Sequence, residues 1–469
     1  MTALERLAHR CVLPGFEGTA PPEWVRRRAA GGLGGVALFA RNVRSDEQVG
    51  ELCAALHAES PALVIAIDEE GGDVTRLDAR IGSRYPGNLA LGVAGDPDLT
   101  HAVAAAMGAR LASLGIGLNL APVADVNTNP QNPIIGVRSF GSDPRSAAEH
   151  TVAWIEGMQG AGVAACAKHF PGHGDTSVDS HLALPVARED PHVRALEPFR
   201  AAIAAGVRAI MSAHIVVPAI DRQPATISST VMTGLLRGEL GFEGVAVSDG
   251  LEMHALRGER SLGDSAVLAL AAGCDLLCVG GGLCDEDAVD EIVRAILRAV
   301  AEGRLAEERI AEAAGRVEKL TTGPSGPLRP LRRLRRHLPT SGEEAIQLAR
   351  LALRVDGDVR VGRAARVIRL ESPSSIAAGE IPWGLAASLT SRGVHVGDEA
   401  GRMVIVARDL HRQPHNQAIA ASLLAEQPDA ILVEMGVPQC RPQGARSYIA
   451  THGSARVCAD AAAEVMTRP

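Results

Sequence analysis

Short apolar runs recur along the first two thirds of the chain, each closing in a polar or glycine-rich turn and leading into a helical pattern. Strands buried on both faces read as continuous apolar runs, so this rhythm predicts parallel strands joined by crossover helices. Eight runs occur, at 11–16, 35–40, 63–68, 117–123, 163–168, 209–214, 244–249 and 275–280. Eight strand–helix units predict an α/β fold with a closed (β/α)8 TIM-like barrel over 1–322. Pro14 interrupts the first run. Helix starts follow suit: Ser45 with Gln48 makes a capping-box pattern, while Asp96 and Asp190 each precede a proline. No G-x-G-x-x-G follows a strand, and the glycines at 31–35 and 280–282 are read as turns, which disfavours a dinucleotide crevice.

Residues 323–340 are rich in proline and arginine and are read as a linker, with the basic run facing water. Beyond it, apolar runs at 367–370, 403–407 and 430–434 alternate with helical stretches such as 416–426. They predict a smaller αβα sandwich domain over 341–469.

Composition narrows the function. Apolar residues make up 46% and charged residues 22% of the 469, as in a globular enzyme rather than a disordered chain. The net charge of −8 and the 2% aromatic content argue against a nucleic-acid partner, leaving a small molecule as the expected ligand. The eight cysteines are scattered, and the set Cys274, Cys278 and Cys284 has no matching pair for a zinc cluster. Unpaired cysteines suit a reducing compartment. The N-terminus lacks a signal-like apolar run and no stretch of eighteen apolar residues occurs, so a cytoplasmic protein with no membrane partner is expected.

Loops after barrel strands converge on one face, so polar strand ends are the first candidates for a site. They read IDEEGGDVTRL (67–77), APVADVNTNP (121–130), AKHFPGHGDTSVDSHLALP (167–185), SAHIVVP (212–218) and SDGLEM (248–253). The third is crowded with ionisable groups. A metal site is one reading, but its histidine spacings match no metal-binding pattern, and Gly172 and Gly174 around His173 point to tight turns. A second reading pairs Asp179 with His181: in an extended turn residues two apart point the same way, so the carboxylate would fix the imidazole tautomer and keep a donor proton available. His181 is then a general acid. Asp249 ends an apolar strand, where a carboxylate either faces the barrel mouth or caps the next helix. A nucleophilic carboxylate and a proton donor across a sugar ring are the minimal equipment of a retaining glycosidase. His173 and His214 are read as holding structural partners.

KHFPGHGDTSVDSH (168–181), with IDEEGG, NPIIGVRSFG (132–141), SAHI and SDGLEM, resembles the bacterial β-N-acetylglucosaminidases of glycoside hydrolase family 3 over residues 11 to 320. The tail, with SYIATHGSARV (447–457), resembles the second domain of the two-domain Gram-positive members. The resemblance implies removal of terminal β-linked N-acetylglucosamine from cell-wall muropeptides in peptidoglycan recycling. It implies Asp249 as nucleophile, His181 as acid/base and Asp179 as its partner. Asp68, Arg76, Arg138, Lys168 and His169 are implied to hold the sugar, with no cofactor. The chain departs from the pattern at Asp73, where the family commonly has arginine, and has the small Gly250 after the nucleophile; Asp73 at the mouth would alter local charge. A neutral histidine base would not repel phosphate, so phosphorolysis is an alternative outcome. A non-catalytic muropeptide-binding protein and a metal hydrolase are the others.

Overall fold

The computed structural model describes residues 1–258, 260–282, 285–322, 342–397 and 401–468. The linker expected at 323–340 and Cys284 lie outside the described residues.

All eight expected barrel strands are present: β1 (Val12–Pro14), β2 (Gly35–Leu38), β3 (Val64–Ile67), β4 (Leu118–Asn119), β5 (Ala164–Phe170), β6 (Ala209–Ser212), then, after a small hairpin of β7 (Val216–Val217) and β8 (Asp221–Pro224), β9 (Val245–Val247) and β10 (Leu277–Val279). They form a curled parallel sheet. Six strands pair in the order β2-β3-β4-β5-β6-β9, β1 pairs with β10, and a single bridge from Val247 to Leu276 links the two pieces.

The closed ladder expected of a full barrel is thus interrupted, because no ladder joins β1 to β2 among the described residues. The cause is local. Leu277 N donates to Cys11 O and Gly15 N to Val279 O, so odd-numbered residues of β1 bond to β10 and even-numbered ones face β2. Residue 14 on that second side is a proline, which has no N–H to donate.

Alternation along the strands sorts the core. Ala37, Val64, Ala66, Leu118, Ala164, Cys166, Met211 and Val247 fill the interior of the curl. Their neighbours Val36, Ile65, Ile67, Ala165 and Ile210 pack outward under the helices. Val317 and Leu320, on the helix Glu307–Thr322, join the interior cluster. The polar strand ends lie beyond this apolar filling.

Ser45 accepts from Gln48 N and Asp96 from Asp98 N, as their helix-start patterns predict. Asp190 does not cap a helix. It accepts from the N–H and Nδ1 of His192 in a turn, and the helix begins at Glu197.

The C-terminal residues build a second sheet in the order β11-β16-β15-β14-β12-β13: β11 (Arg354–Asp356), β12 (Ala364–Arg369), β13 (His395–Val396), β14 (Arg402–Ala407), β15 (Ile431–Glu434) and β16 (Ser447–Ala450). Only β11 runs antiparallel to its neighbour. The three strands read from the sequence correspond to β12, β14 and β15.

Asp275, just before β10, is fully buried and binds Arg237 (2.5 Å), Arg309 (2.7 Å) and Arg316 (3.2 Å) while accepting Ala246 N. It ties β9 to two helices. Removing a buried ion-pair partner strands the others, so Asp275→Asn is expected to lower stability in urea unfolding by about 3 kcal/mol; a loss near zero would contradict this role.

Candidate active site

The loops after β3, β4, β5 and β9 meet over a cavity of about 650 Å³. Asp68, Arg76, Arg138, Lys168, His169, His181 and Asp249 all line it. Asp179 lines the adjoining groove and reaches the cavity through His181.

The loop after β3 supplies the anionic centre. Asp68 accepts from Lys168 Nζ at 2.7 Å and stands 3.6 Å from the Arg76 guanidinium. Glu70, two residues on and pointing the same way, binds Lys168 Nζ at 2.7 Å and the Arg138 guanidinium through both oxygens at 2.8 and 2.9 Å. Burial disfavours the Glu70 charge, but Arg138 and Lys168 outweigh it and hold the carboxyl well below its ordinary range. In turn Asp68 and Glu70 overcome burial and raise Lys168, so it stays protonated. The intervening Glu69 points away and accepts Arg76 N and Leu77 N, folding the loop back on itself.

The register of β5 against β6 shifts between Ala167 and Phe170. Such an irregularity re-aims side chains, and the residues inside it are Lys168 and His169. Asp125, buried after β4, fixes the second of these: its Oδ2 accepts His169 Nδ1–H at 2.7 Å and its Oδ1 accepts His173 N at 2.6 Å. His169 Nε2 is left facing Arg138 at 3.5 Å. Gly172, at φ 125, closes a turn by donating its N–H to His169 O at 2.8 Å, as expected next to His173, and the chain then packs so closely that a Cβ at Gly174 would lie 1.8 Å from Val126 O. Burial lowers His173 to about 4, so it is neutral, and its Nδ1 bonds Thr176 Oγ1 at 2.7 Å.

Asp179 and His181 form the expected pair. Asp179 Oδ1 accepts both the His181 Nδ1–H and the His181 backbone N–H at 2.8 Å, which turns Nε2 outward from the carboxylate. Ser180 O accepts Ala255 N at 3.3 Å, tethering this loop to the one that follows Asp249.

Asp249 does not cap the following helix, whose first residue is His254; its Oδ1 accepts Gly250 N at 2.8 Å. Burial works against its charge, yet His214, His169 and His181 together with the Gly250 N–H bring it down to about 2. His214 bonds Thr226 Oγ1 (2.8 Å) and Gly250 O (3.0 Å), the structural role read for it.

Three parts of the site were not singled out from the sequence. Glu70 could have been found by its spacing from Asp68, and Asp125 by its place at a polar strand end. The third is the segment 376–381 between β12 and the helix Ala386–Ser391, which lines the cavity and whose Ala377 O accepts from Arg76 Nη2 at 2.9 Å. Asp73 is not at the cavity wall; it faces the C-terminal sheet, where Oδ1 accepts Ser454 N at 2.7 Å. Among the described residues no three His, Cys, Asp or Glu side chains converge as metal ligands would.

The glycosyl hydrolase family 3 N terminal domain matches residues 22–320. This chain belongs to glycosyl hydrolase family 3. It is a glycoside hydrolase. The family 3 chain is 36% identical over 333 residues to beta-hexosaminidase A of Pseudoalteromonas piscicida, covering 65% of itself and 56% of that protein. It is 41% identical over 275 residues to the beta-hexosaminidase of Pseudomonas aeruginosa PAO1, covering 57% of itself and 79% of that protein. Among solved structures, a family 3 β-N-acetylglucosaminidase from Paenibacillus sp. str. FPU-7 superposes with a TM-score of 0.87 at 33% identity, over 100% of this chain and 97% of that one.

The low Asp249 value has a measurable consequence. The group ionises at about 2 in the fold against an ordinary 3.8, so its charge favours folding above about pH 4, and this contribution is lost as pH falls through 2. The stability difference between wild type and Asp249→Asn in urea unfolding should therefore shift by about 2 kcal/mol between pH 4 and pH 2, to the wild type's disadvantage at the lower pH. A difference constant across that window would contradict the arrangement.

Proposed function

We propose that this hydrolase removes terminal β-linked N-acetylglucosamine with retention of configuration, through a covalent sugar ester on Asp249. The observation that carries the reading is that an ionised carboxylate, Asp249, and a carboxylate-oriented imidazole, His181, open on one cavity. Asp249 attacks the anomeric carbon while His181 Nε2 gives its proton to the leaving oxygen; His181 then takes a proton from water, which opens the ester. Asp179 holds the tautomer this exchange requires. Asp68 accepts hydroxyl hydrogens, Arg76, Arg138 and Lys168 donate to hydroxyl and acetyl oxygens, and His169, whose Nδ1–H is held by Asp125, offers Nε2 as an acceptor to a hydroxyl, fixing the ring for attack.

The names of the relatives support N-acetylhexosamine as the sugar. Muropeptides in the cytoplasm are the natural substrate we favour, and the seven described cysteines, all free, suit that compartment. We divide the chain into a catalytic barrel, 1–322, and a C-terminal αβα domain, 341–469, of the Gram-positive type; the family match that ends at residue 320 and the separate C-terminal sheet support that division.

Kinetics on an aryl β-N-acetylglucosaminide test the reading. Asp249→Ala should lose more than about 10³-fold in kcat, and a slow fluoro-glycoside should add one sugar to the peptide holding Asp249. His181→Ala should hurt poor leaving groups far more than aryl ones. Near-normal turnover by Asp249→Ala would end the proposal, and release of the sugar 1-phosphate in phosphate buffer would replace hydrolysis by phosphorolysis.

A further inference from the structure

We infer that Glu434, in the C-terminal sheet, is a positioning residue for the sugar site, acting through the turn at 409–412 on the barrel loop that carries Arg138. This deepens the reading above and rests on it for the role of Arg138.

Glu434 ends β15 and is 1% exposed. Its carboxylate gathers three backbone donors: Asp409 N (2.8 Å) and Gly436 N (2.7 Å) on Oε1, and Leu410 N (3.1 Å) on Oε2. They hold Asp409 at φ 52, in the left-handed region that non-glycine residues seldom enter. Asp409 is fastened further, with Oδ1 accepting Val437 N at 2.9 Å and Oδ2 bound to Arg412 at 2.5 Å. A Cβ at Gly436 would lie 2.4 Å from Asp409 N, so the turn sits directly on the segment after β15.

The turn then reaches the barrel. His411 Nε2 donates to Pro130 O at 2.6 Å and Arg412 Nη1 to Asn132 O at 3.2 Å. Asn132 is a hub: its Oδ1 accepts Ile134 N and Ile135 N, and its Nδ2 donates to His173 O at 2.8 Å. Ile134 O accepts Arg138 Nη1 at 3.0 Å. An unbroken set of contacts therefore joins Glu434 to the guanidinium that lines the cavity and to the loop after β5.

A carboxylate suits this position because both oxygens must accept. A glutamine would set an NH2 group against one of the backbone donors. Burial and Asp409 push Glu434 up to about 7, so the carboxylate is held at a cost that its three backbone donors offset, whereas an apolar side chain would leave those N–H groups buried without acceptors.

The test is steady-state kinetics on an aryl β-N-acetylglucosaminide and calorimetric binding of free N-acetylglucosamine by Glu434→Gln, Arg412→Ala and the double variant of the full chain. KM and Kd should each rise about fivefold in either single variant with kcat little changed, and the double variant should be no worse than the singles. Arg412→Ala removes a half-buried contact between the turn and the barrel loop and keeps the test valid if Glu434→Gln does not fold. Unchanged KM and Kd in folded Arg412→Ala would overturn the inference, as would a fall in kcat at constant KM. If the wild type binds the sugar but cleaves nothing, the functional proposal fails while the binding constants still judge this one.

Discussion

The site depends on one carboxylate buried between two cations. Glu70 has almost no contact with water and would be expensive to ionise alone; clasped by Arg138 through both oxygens and by Lys168, it is stable only as the anion. The same contacts fix the two cations. Each keeps donors for a ligand, in a geometry set before any sugar arrives, so little ordering remains to be done on binding. Lys168 also meets Asp68, which shares the ammonium charge between two neighbouring carboxylates.

Around this centre the fold separates stability from chemistry. Small apolar residues fill the curl, and Asp275 with its three arginines locks the end of the sheet away from the cavity. At the other end β3, β4, β5, β6 and β9 hand over to an acid or a base. Asp125 and Asp179 do similar work for different histidines: each accepts a hydrogen bond from an Nδ1–H and thereby decides what Nε2 can do.

Much of this was legible in the sequence. All eight barrel strands could be read because strands buried on both faces leave continuous apolar runs, and Asp179 with His181 could be read because their spacing admits one short hydrogen bond. Pro14 was visible too, although its effect on the β1–β2 edge follows only once register decides which side of the strand residue 14 faces. Asp190 before a proline has the chemistry of a helix cap, but His192 takes its carboxylate and the chain turns instead. Asp73 could not be placed from its motif, since its partner, Ser454, is remote in the chain. The segment 376–381 was out of reach for the same reason: nothing local in an isoleucine- and glycine-containing stretch marks it as a wall for Arg76.

That wall has a bearing on how the protein comes into being. Every acid and base that the barrel contributes to the cavity has left the ribosome before residue 376 is made, and the strand that seats between β11 and β15 is completed only at Ala450. The cleft described above is thus among the last features a growing chain can finish, and nascent chains halted earlier carry the reactive groups without their full enclosure.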